Sequence, residues 1–322
     1  MKRIGVFTSG GDAPGMNACI RAVVRTALYY KMEVFGIHRG YSGMIRGNIH
    51  KMKSRDVSSI MQLGGTILQS ARSETFRTPE GRKKAYQQLQ KYGIEGLVAI
   101  GGDGTFSGAS VFGKEYPVNI VGVPGTIDND LFGSDFTLGY DTAVNTAMSC
   151  IDNIKDTANS HNRLFFVEVM GRDAGFIALR SGIASGAEAV LIPEQETDIN
   201  DLIKILDKNY KSKKSSSIVV VAEGKRSGGA FEIADQVKKK LKHYDMRVTV
   251  LGHLQRGGRP SCFDRVLASR LGMEAVKALR AGKKGVMVGQ IHKDIKFTPF
   301  AKACKHNQKI SPVMLDMVKI LS

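Results

Sequence analysis

Short apolar runs, each followed by an amphipathic stretch long enough for a helix, recur along almost the whole chain. Strand-like runs fall at 3–8, 33–38, 96–100, 119–123, 164–170, 189–192, 218–222, 247–251 and 286–290. Helical periodicity begins near Gly15, Glu80, Thr105, Asp141, Ala174, Asp198, Gly229, Asp264 and Pro312. Strands that alternate with helices pair in parallel through right-handed crossovers, which lay helices on both faces of a sheet. The alternation therefore predicts an α/β fold with mainly parallel sheets and ligand sites at the carboxyl ends of the strands. At 322 residues the chain exceeds the roughly 150 of one domain, so two are expected. No Pro/Ser-rich linker separates two halves, and the division is expected to come from chain crossings inside the α/β pattern.

Composition excludes several classes. With 42% hydrophobic and 24% charged residues, 36 Gly and 8 Pro, the chain is neither disordered nor fibrous. No apolar run approaches the roughly 18 residues that cross a bilayer. The N-terminal apolar stretch runs straight into Gly-Gly-Asp and is too short for a signal peptide. Cys19, Cys150, Cys262 and Cys304 have neither metal-ligand nor disulfide-framework spacing, so a reduced, cytoplasmic protein is expected. The formal charge of +17 is uneven: residues 1–161 hold 18 Lys/Arg against 14 Asp/Glu, and residues 162–322 hold 29 against 16. The densest runs (Lys211, Lys213 and Lys214; Lys238 to Lys240 with Lys242; Lys283 and Lys284) lie at predicted helix ends without interleaved aromatics. They read as solvated helix faces, and neither a nucleic-acid nor a membrane partner is expected.

The turns after the strands carry the chemistry. Thr8-Ser-Gly-Gly-Asp-Ala-Pro-Gly-Met-Asn17 follows the first strand. Paired glycines let the backbone approach a phosphate and present N–H groups, and the next helix adds its positive end; a plain structural turn shares the composition. No Lys-Ser/Thr follows, so this is not a Walker A loop, and the near match Gly108 to Lys114 falls inside a predicted helix. Ile100-Gly-Gly-Asp-Gly-Thr105 repeats the arrangement, but Ser107 stands where a dinucleotide fingerprint needs its last glycine. Its Asp103 suits Mg²⁺, which takes one or two carboxylates with phosphate oxygens and water; the alternative is a helix N-cap. In Val123-Pro-Gly-Thr-Ile-Asp-Asn-Asp130 two carboxylates sit two residues apart beside Thr126 and Asn129. One could deprotonate a substrate hydroxyl while the other orients it or a metal; Asx-turn chemistry is the plain alternative.

In this order the three turns resemble those of the bacterial-type ATP-dependent 6-phosphofructokinases. The resemblance continues through Ser70-Ala-Arg-Ser-Glu-Thr-Phe-Arg77, Ser160-His-Asn-Arg163, Glu168-Val-Met-Gly-Arg-Asp-Ala-Gly175, Ala222-Glu-Gly224 and Leu251-Gly-His-Leu-Gln-Arg-Gly-Gly258, and covers essentially the whole chain. It implies two Rossmann-like three-layer domains: a larger ATP-binding domain of residues 1–139 plus 252–303, and a smaller fructose 6-phosphate domain of 140–251 plus 304–322. It implies phosphorylation of the C1 hydroxyl of fructose 6-phosphate, the committed step of glycolysis, with Mg²⁺ as cofactor and a homotetramer as assembly. Carried over residue by residue, Gly11, Tyr41, Arg72, Ser73 and Arg77 surround ATP with Gly102, Asp103, Gly104, Thr105 and Gly108, and Asp103 holds Mg²⁺. Asp128 matches the catalytic base, with Thr126, Ile127 and Asp130 beside it, and Arg172 the arginine on the transferring phosphoryl group. Met170, Gly171, Glu223, His253 and Arg256 line the sugar-phosphate site, and Arg163 and Arg247 reach the 6-phosphate of a neighbouring subunit.

Pyrophosphate-dependent relatives typically carry an acid at the Gly104 position and a lysine at the Gly125 position; glycine at both favours ATP. Arg21, Arg25, Arg55, Lys155, Gly186, Glu188 and Lys214 match an effector site for ADP or phosphoenolpyruvate. Lys155 there replaces a usual arginine, and Ser215 and Ser216 a Lys-His pair, so a weakened or altered response is expected. Ser73 to Thr75 also depart from the family's aromatic- and Pro-containing segment. Two other readings compete: a pyrophosphate-dependent kinase, against which Gly104 and Gly125 stand, and a catalytically silent basic nucleotide- or nucleic-acid-binding protein, against which Asp128 and Arg172 stand.

Overall fold

The computed structural model describes residues 1–161, 163–196, 198–212, 217–224, 228–305 and 308–321. In chain order its elements are β1 (Arg3–Thr8), α1 (Met16–Tyr29), β2 (Glu33–Ile37), α2 (Gly40–Arg46), β3 (Ile49–Lys51), α3 (Pro79–Tyr92), β4 (Gly96–Gly101), α4 (Asp103–Glu115) and β5 (Asn119–Pro124). Then come α5 (Tyr140–His161), β6 (Arg163–Val169), α6 (Phe176–Ser185), β7 (Ala189–Leu191), α7 (Ile199–Lys211), β8 (Ser217–Ala222), α8 (Ala230–Lys240) and β9 (Asp245–Val250). The chain ends with α9 (Cys262–Arg280), β10 (Val286–Ile291), β11 (Asp294–Pro299), α10 (Phe300–Lys305) and α11 (Pro312–Leu321). The helix starts are written locally: Thr78 Oγ1 accepts from Gly81 N with Pro79 at the first position of α3, and Asp198 accepts from Asn200 N ahead of α7.

Two compact units form. The first holds Met1–Ile127, Leu131–Thr142 and Arg256–Gln308; the second holds Asp128–Asp130, Ala143–Gln255 and Lys309–Ser322. The first is built on a seven-stranded sheet ordered β11-β10-β5-β4-β1-β2-β3. Its five central strands pair in parallel, and β3 and β11 join antiparallel at the two edges. Side chains alternate across the strands: Phe7, Leu97 and Ala99 enter a core with residues of α2, α3, α4 and α10, while α1 and α9 cover the other face. The central strands are buried on both faces and so read as unbroken apolar runs.

The second unit carries a four-stranded, all-parallel sheet ordered β7-β8-β6-β9. Leu164, Phe166, Val219 and Val221 pack under α7 and α8, and α6 lies on the strands from the other side, with α11 against it. Both units are thus three-layered α/β. In the first sheet the strand order reverses beside β1 and β4, and in the second beside β6, which makes the carboxyl ends of those strands the expected ligand crevices. No described helix is long and apolar enough to cross a membrane.

Candidate active site

The three glycine turns lie side by side. Ser9 N donates to Ile100 O at 3.0 Å, Thr105 Oγ1 donates to Ser9 O at 3.1 Å, and Gly125 N donates to Gly101 O at 3.0 Å. The approach is too close for a side chain at Gly101, where a Cβ would sit 2.3 Å from Thr105 Oγ1. The segment leading to Arg72 is fixed by Asn17, whose side chain donates to Leu63 O and Gly64 O and accepts from Ile67 N. The turn after β4 opens α4 at Asp103, and no side chain caps that helix, which leaves its positive end to a ligand. Asp103 is half-buried there as the first helical residue, not as the N-cap. The near-match Gly108 to Lys114 lies inside α4, as expected.

Gly104 and Gly125 are glycines for different reasons. A Cβ at Gly125 would press on Ile100 and Met16 at 3.0 and 3.1 Å, so packing alone favours glycine. A Cβ at Gly104 would meet nothing within 4 Å and needs no special backbone angle. The fold does not require glycine at 104. The open space beside the Asp103 carboxylate and the α4 N-terminus fits a phosphate chain with its Mg²⁺. Among the described residues no group of three His, Cys, Asp or Glu stands ready to hold a metal, and the donor set is a lone carboxylate of the kind used when phosphates supply the remaining ligands.

Tyr41 is buried, stacks on Phe76 at 3.9 Å and donates to Thr105 O at 2.6 Å; desolvation pushes its hydroxyl pKa up. A Cβ at Gly108 would touch its ring, at 3.1 Å from Cε2. Both residues thus brace the start of α4. Arg72 and Arg77 are exposed, and Ser73 Oγ accepts from Phe76 N at 3.3 Å. Arg82, which the sequence reading did not single out, grips Glu115 with both arms of its fork at 2.5 and 2.7 Å and donates to Phe76 O and Arg77 O. Gly11 lies under the Arg256 guanidinium, which donates to Asp12 O at 3.3 Å. Thr126 O accepts from Thr137 Oγ1 at 2.6 Å. Ile127 and Asp128 are buried, and the αL backbone of Asn129 (φ 53) turns the chain between the two carboxylates.

In the second unit Met170, Gly171 and Arg172 follow β6, and Glu223 follows β8. Met170 is buried, and its N–H donates to Oε1 of the fully buried Gln255, another residue the sequence reading passed over. His253 is exposed on the turn that leads to Gln255. Glu223 Oε1 accepts from Gly171 N at 3.3 Å and Arg172 N at 2.8 Å. Arg163 and Arg247, on adjacent strands, share one partner: Asp245 accepts from Arg163 Nε at 2.7 Å and Arg247 Nη2 at 3.2 Å. The Arg163 hydrogen bond first, and the charge of both arginines, hold the Asp245 carboxyl below its usual range. The alternation Asp245-Met-Arg247 on one strand was the legible signal for this pairing.

The effector candidates fall into two groups. Arg21 and Arg25 lie one turn apart on α1, against which the turn bearing the exposed Arg55 packs. In the second unit Lys155 Nζ donates to Ser185 O at 2.8 Å, at the end of α6 where Gly186 takes φ +60. Glu188 is buried and accepts from Asn209 Nδ2 at 2.6 Å. Lys213, Lys214, Ser215 and Ser216, and Asn162 of the Ser160 to Arg163 motif, lie outside the described residues.

Glycine turns at strand ends, one of them opening an uncapped helix N-terminus, are a feature of phosphate-binding proteins of the α/β class. The chain matches the phosphofructokinase family model over residues 3–279, and it belongs to that family. It is 56% identical over 322 residues to the ATP-dependent 6-phosphofructokinase 1 of Thermus thermophilus, covering 100% of both chains. It is 54% identical over 321 residues to ATP-dependent 6-phosphofructokinase 2 of Bacteroides thetaiotaomicron, covering 100% of this chain and 98% of the relative. Phosphofructokinase from Saccharomyces cerevisiae superposes with a TM-score of 0.91 at 36% identity, over 95% of this chain and 45% of that one. A pyrophosphate-dependent phosphofructokinase from Marinobacter aquaeolei shares the fold, with a TM-score of 0.86 at 23% identity over 100% of this chain and 91% of the other.

Proposed function

We infer that this chain is an ATP-dependent 6-phosphofructokinase, converting ATP and fructose 6-phosphate to ADP and fructose 1,6-bisphosphate in glycolysis. The observation that carries the donor is Gly104: a glycine the fold does not demand, at the uncapped start of α4 beside Asp103. In this reading Gly11, Gly102, Gly104 and Thr105 present backbone N–H groups to the ATP phosphates, with Arg72, Ser73 and Arg77 along the nucleotide and Tyr41 and Gly108 bracing the turn. Asp103 holds Mg²⁺, which when bound neutralises charge on the phosphate oxygens.

Asp128 takes the proton of the C1 hydroxyl as its oxygen bonds to the γ-phosphorus and the bond to the β-phosphate oxygen breaks. Thr126 and Asp130 orient that acceptor. The Arg172 fork matches the equatorial oxygens of the transferring group better than a lysine point charge would. Met170, Gly171, Glu223, His253 and Arg256 receive the sugar phosphate, and Arg163 with Arg247, aligned by Asp245, serves the 6-phosphate of a neighbouring subunit in a homotetramer. Arg21, Arg25, Arg55, Lys155, Gly186, Glu188 and Lys214 form an ADP or phosphoenolpyruvate site of altered response. The enzyme works in the cytoplasm. Phosphorus NMR of the product formed from ATP, Mg²⁺ and fructose 6-phosphate tests the reaction: a new ester at C1 supports it, and phosphorylation elsewhere or ATP hydrolysis alone overturns it.

A further inference from the structure

Arg172 is a non-glycine residue held at φ +56, and Gly171 before it sits at φ +142, so the turn after β6 is made of two conformations the backbone does not favour. Glu223 Oε1 accepts from both N–H groups of that turn, Gly171 at 3.3 Å and Arg172 at 2.8 Å. Successive N–H groups pointing at one oxygen form a concavity for negative charge. Glu223 is itself anchored, because its own N–H donates to Val169 O at 2.9 Å and extends the β6–β8 ladder past Val169 and Ala222. The backbone of Gly224, at φ +76, closes on the other side: a Cβ there would lie 2.2 Å from Arg172 O. The Arg172 guanidinium is exposed, and its ion-pair partner at 3.6 Å is its own chain neighbour Asp173. The direction in which the Arg172 side chain leaves the chain is set by this turn.

We propose that Glu223 is a positioning residue for Arg172: its carboxylate fixes the Gly171–Arg172 turn and so aims the guanidinium used in phosphoryl transfer. The proposal rests on the role given to Arg172 above. A residue that only bound the sugar would alter KM for fructose 6-phosphate; one that aims Arg172 alters kcat.

The test is kcat and KM for Glu223→Ala, Glu223→Gln, Arg172→Ala and the double variant Glu223→Ala/Arg172→Ala. Loss of two charge-assisted hydrogen bonds predicts a kcat lower by about 10- to 100-fold for Glu223→Ala. Glu223→Gln keeps an oxygen that accepts from both N–H groups and recovers most of that kcat. In the Arg172→Ala background Glu223→Ala lowers kcat by less than about twofold, because the two act as one unit. A kcat loss that multiplies in the double variant, or a change confined to KM, overturns the proposal. If Glu223→Ala does not fold, Glu223→Asp decides, since its shorter side chain draws the carboxylate back from the two N–H groups: lowered kcat supports the proposal and unchanged kcat overturns it. Absence of fructose 6-phosphate turnover in the unaltered protein is a separate result, and it removes the reading of Arg172 itself.

Discussion

In the proposed reaction Asp128, Arg172 and Gly104 act in three different ways, and each makes its own prediction. Asp128 is a buried carboxylate in the loop after β5; as the proposed general base, its replacement with Ala lowers kcat by about 10²–10⁴-fold. Steady-state rates at saturating ATP and fructose 6-phosphate check this, and a loss below tenfold contradicts it. Arg172→Ala removes charge stabilisation worth about 3 kcal/mol in the transition state, on the order of a hundredfold in rate. Because a side chain at Gly104 would meet nothing within 4 Å, Gly104→Asp leaves the melting temperature unchanged. It weakens turnover with ATP by setting an acid against the phosphates. A parallel loss of stability would mean that packing, not the nucleotide, chose this glycine. Asp128 was legible because it stands in a polar turn after an apolar strand, whereas the parts given to Arg172 and Gly104 came from the family resemblance. Gln255 and Arg82 were not legible: their partners Met170 and Glu115 lie far away in the chain, and no local pattern announces such a pair; for Asp245 the alternation with Arg247 hinted at one partner, but not at Arg163 on the neighbouring strand.

At the scale of elements, α5 and α9 cap one another. Asp264, in the first turn of α9, accepts from Gly139 N at 2.9 Å, Thr142 N at 2.8 Å and Thr142 Oγ1 at 2.5 Å at the start of α5. Ser261, the N-cap of α9, in turn donates its hydroxyl to Asp141 at 2.6 Å and its N–H to Thr142 Oγ1 at 2.9 Å. Burial pushes the Asp264 carboxyl from 3.8 up to about 6, against the pull of the hydrogen bonds it accepts. Between those values the folded protein binds a proton the unfolded chain has released, so stability falls as pH rises through the window. The shift amounts to about 3 kcal/mol. Urea unfolding of the parent and of Asp264→Asn at pH 4 and 7 reads it: the variant lacks this part of the pH dependence, and identical slopes contradict the assignment. The strong helices and the nine apolar strands were readable from periodicity. The additional elements were short or weakly patterned. β3 has three residues with one buried, α2 and α10 are too short for a helical period to emerge, and β11 is a half-exposed edge strand. The β10–β11 hairpin turns through His292 at φ 53, where Gly or Asn would have signalled it.

For the whole molecule, each of two three-layered units has a point where strand order reverses, the place where such folds gather ligands. The sequence made the α/β class plain, because alternation of strand and helix leaves few other topologies. It did not make plain what the charge of +17 is for. Lys204, Lys211 and Lys277 pair with acids on their own helices, as solvated faces do, whereas Arg163 and Arg256 stand at a strand start and a turn, and Arg247 within β9. The effector group predicts a whole-molecule property. With Lys155 spent on the carbonyl of Ser185 and lacking a guanidinium fork, ADP and phosphoenolpyruvate change the velocity at low fructose 6-phosphate only weakly; a strong response to either contradicts this. The reading stands or falls on whether the uncapped turn at Gly104 takes ATP. The most direct measurement is kcat/KM for fructose 6-phosphate phosphorylation by the purified protein with Mg²⁺ and either ATP or pyrophosphate as donor. Turnover with ATP and none above background with pyrophosphate is expected; turnover with pyrophosphate equal to or faster than with ATP would overturn the ATP reading.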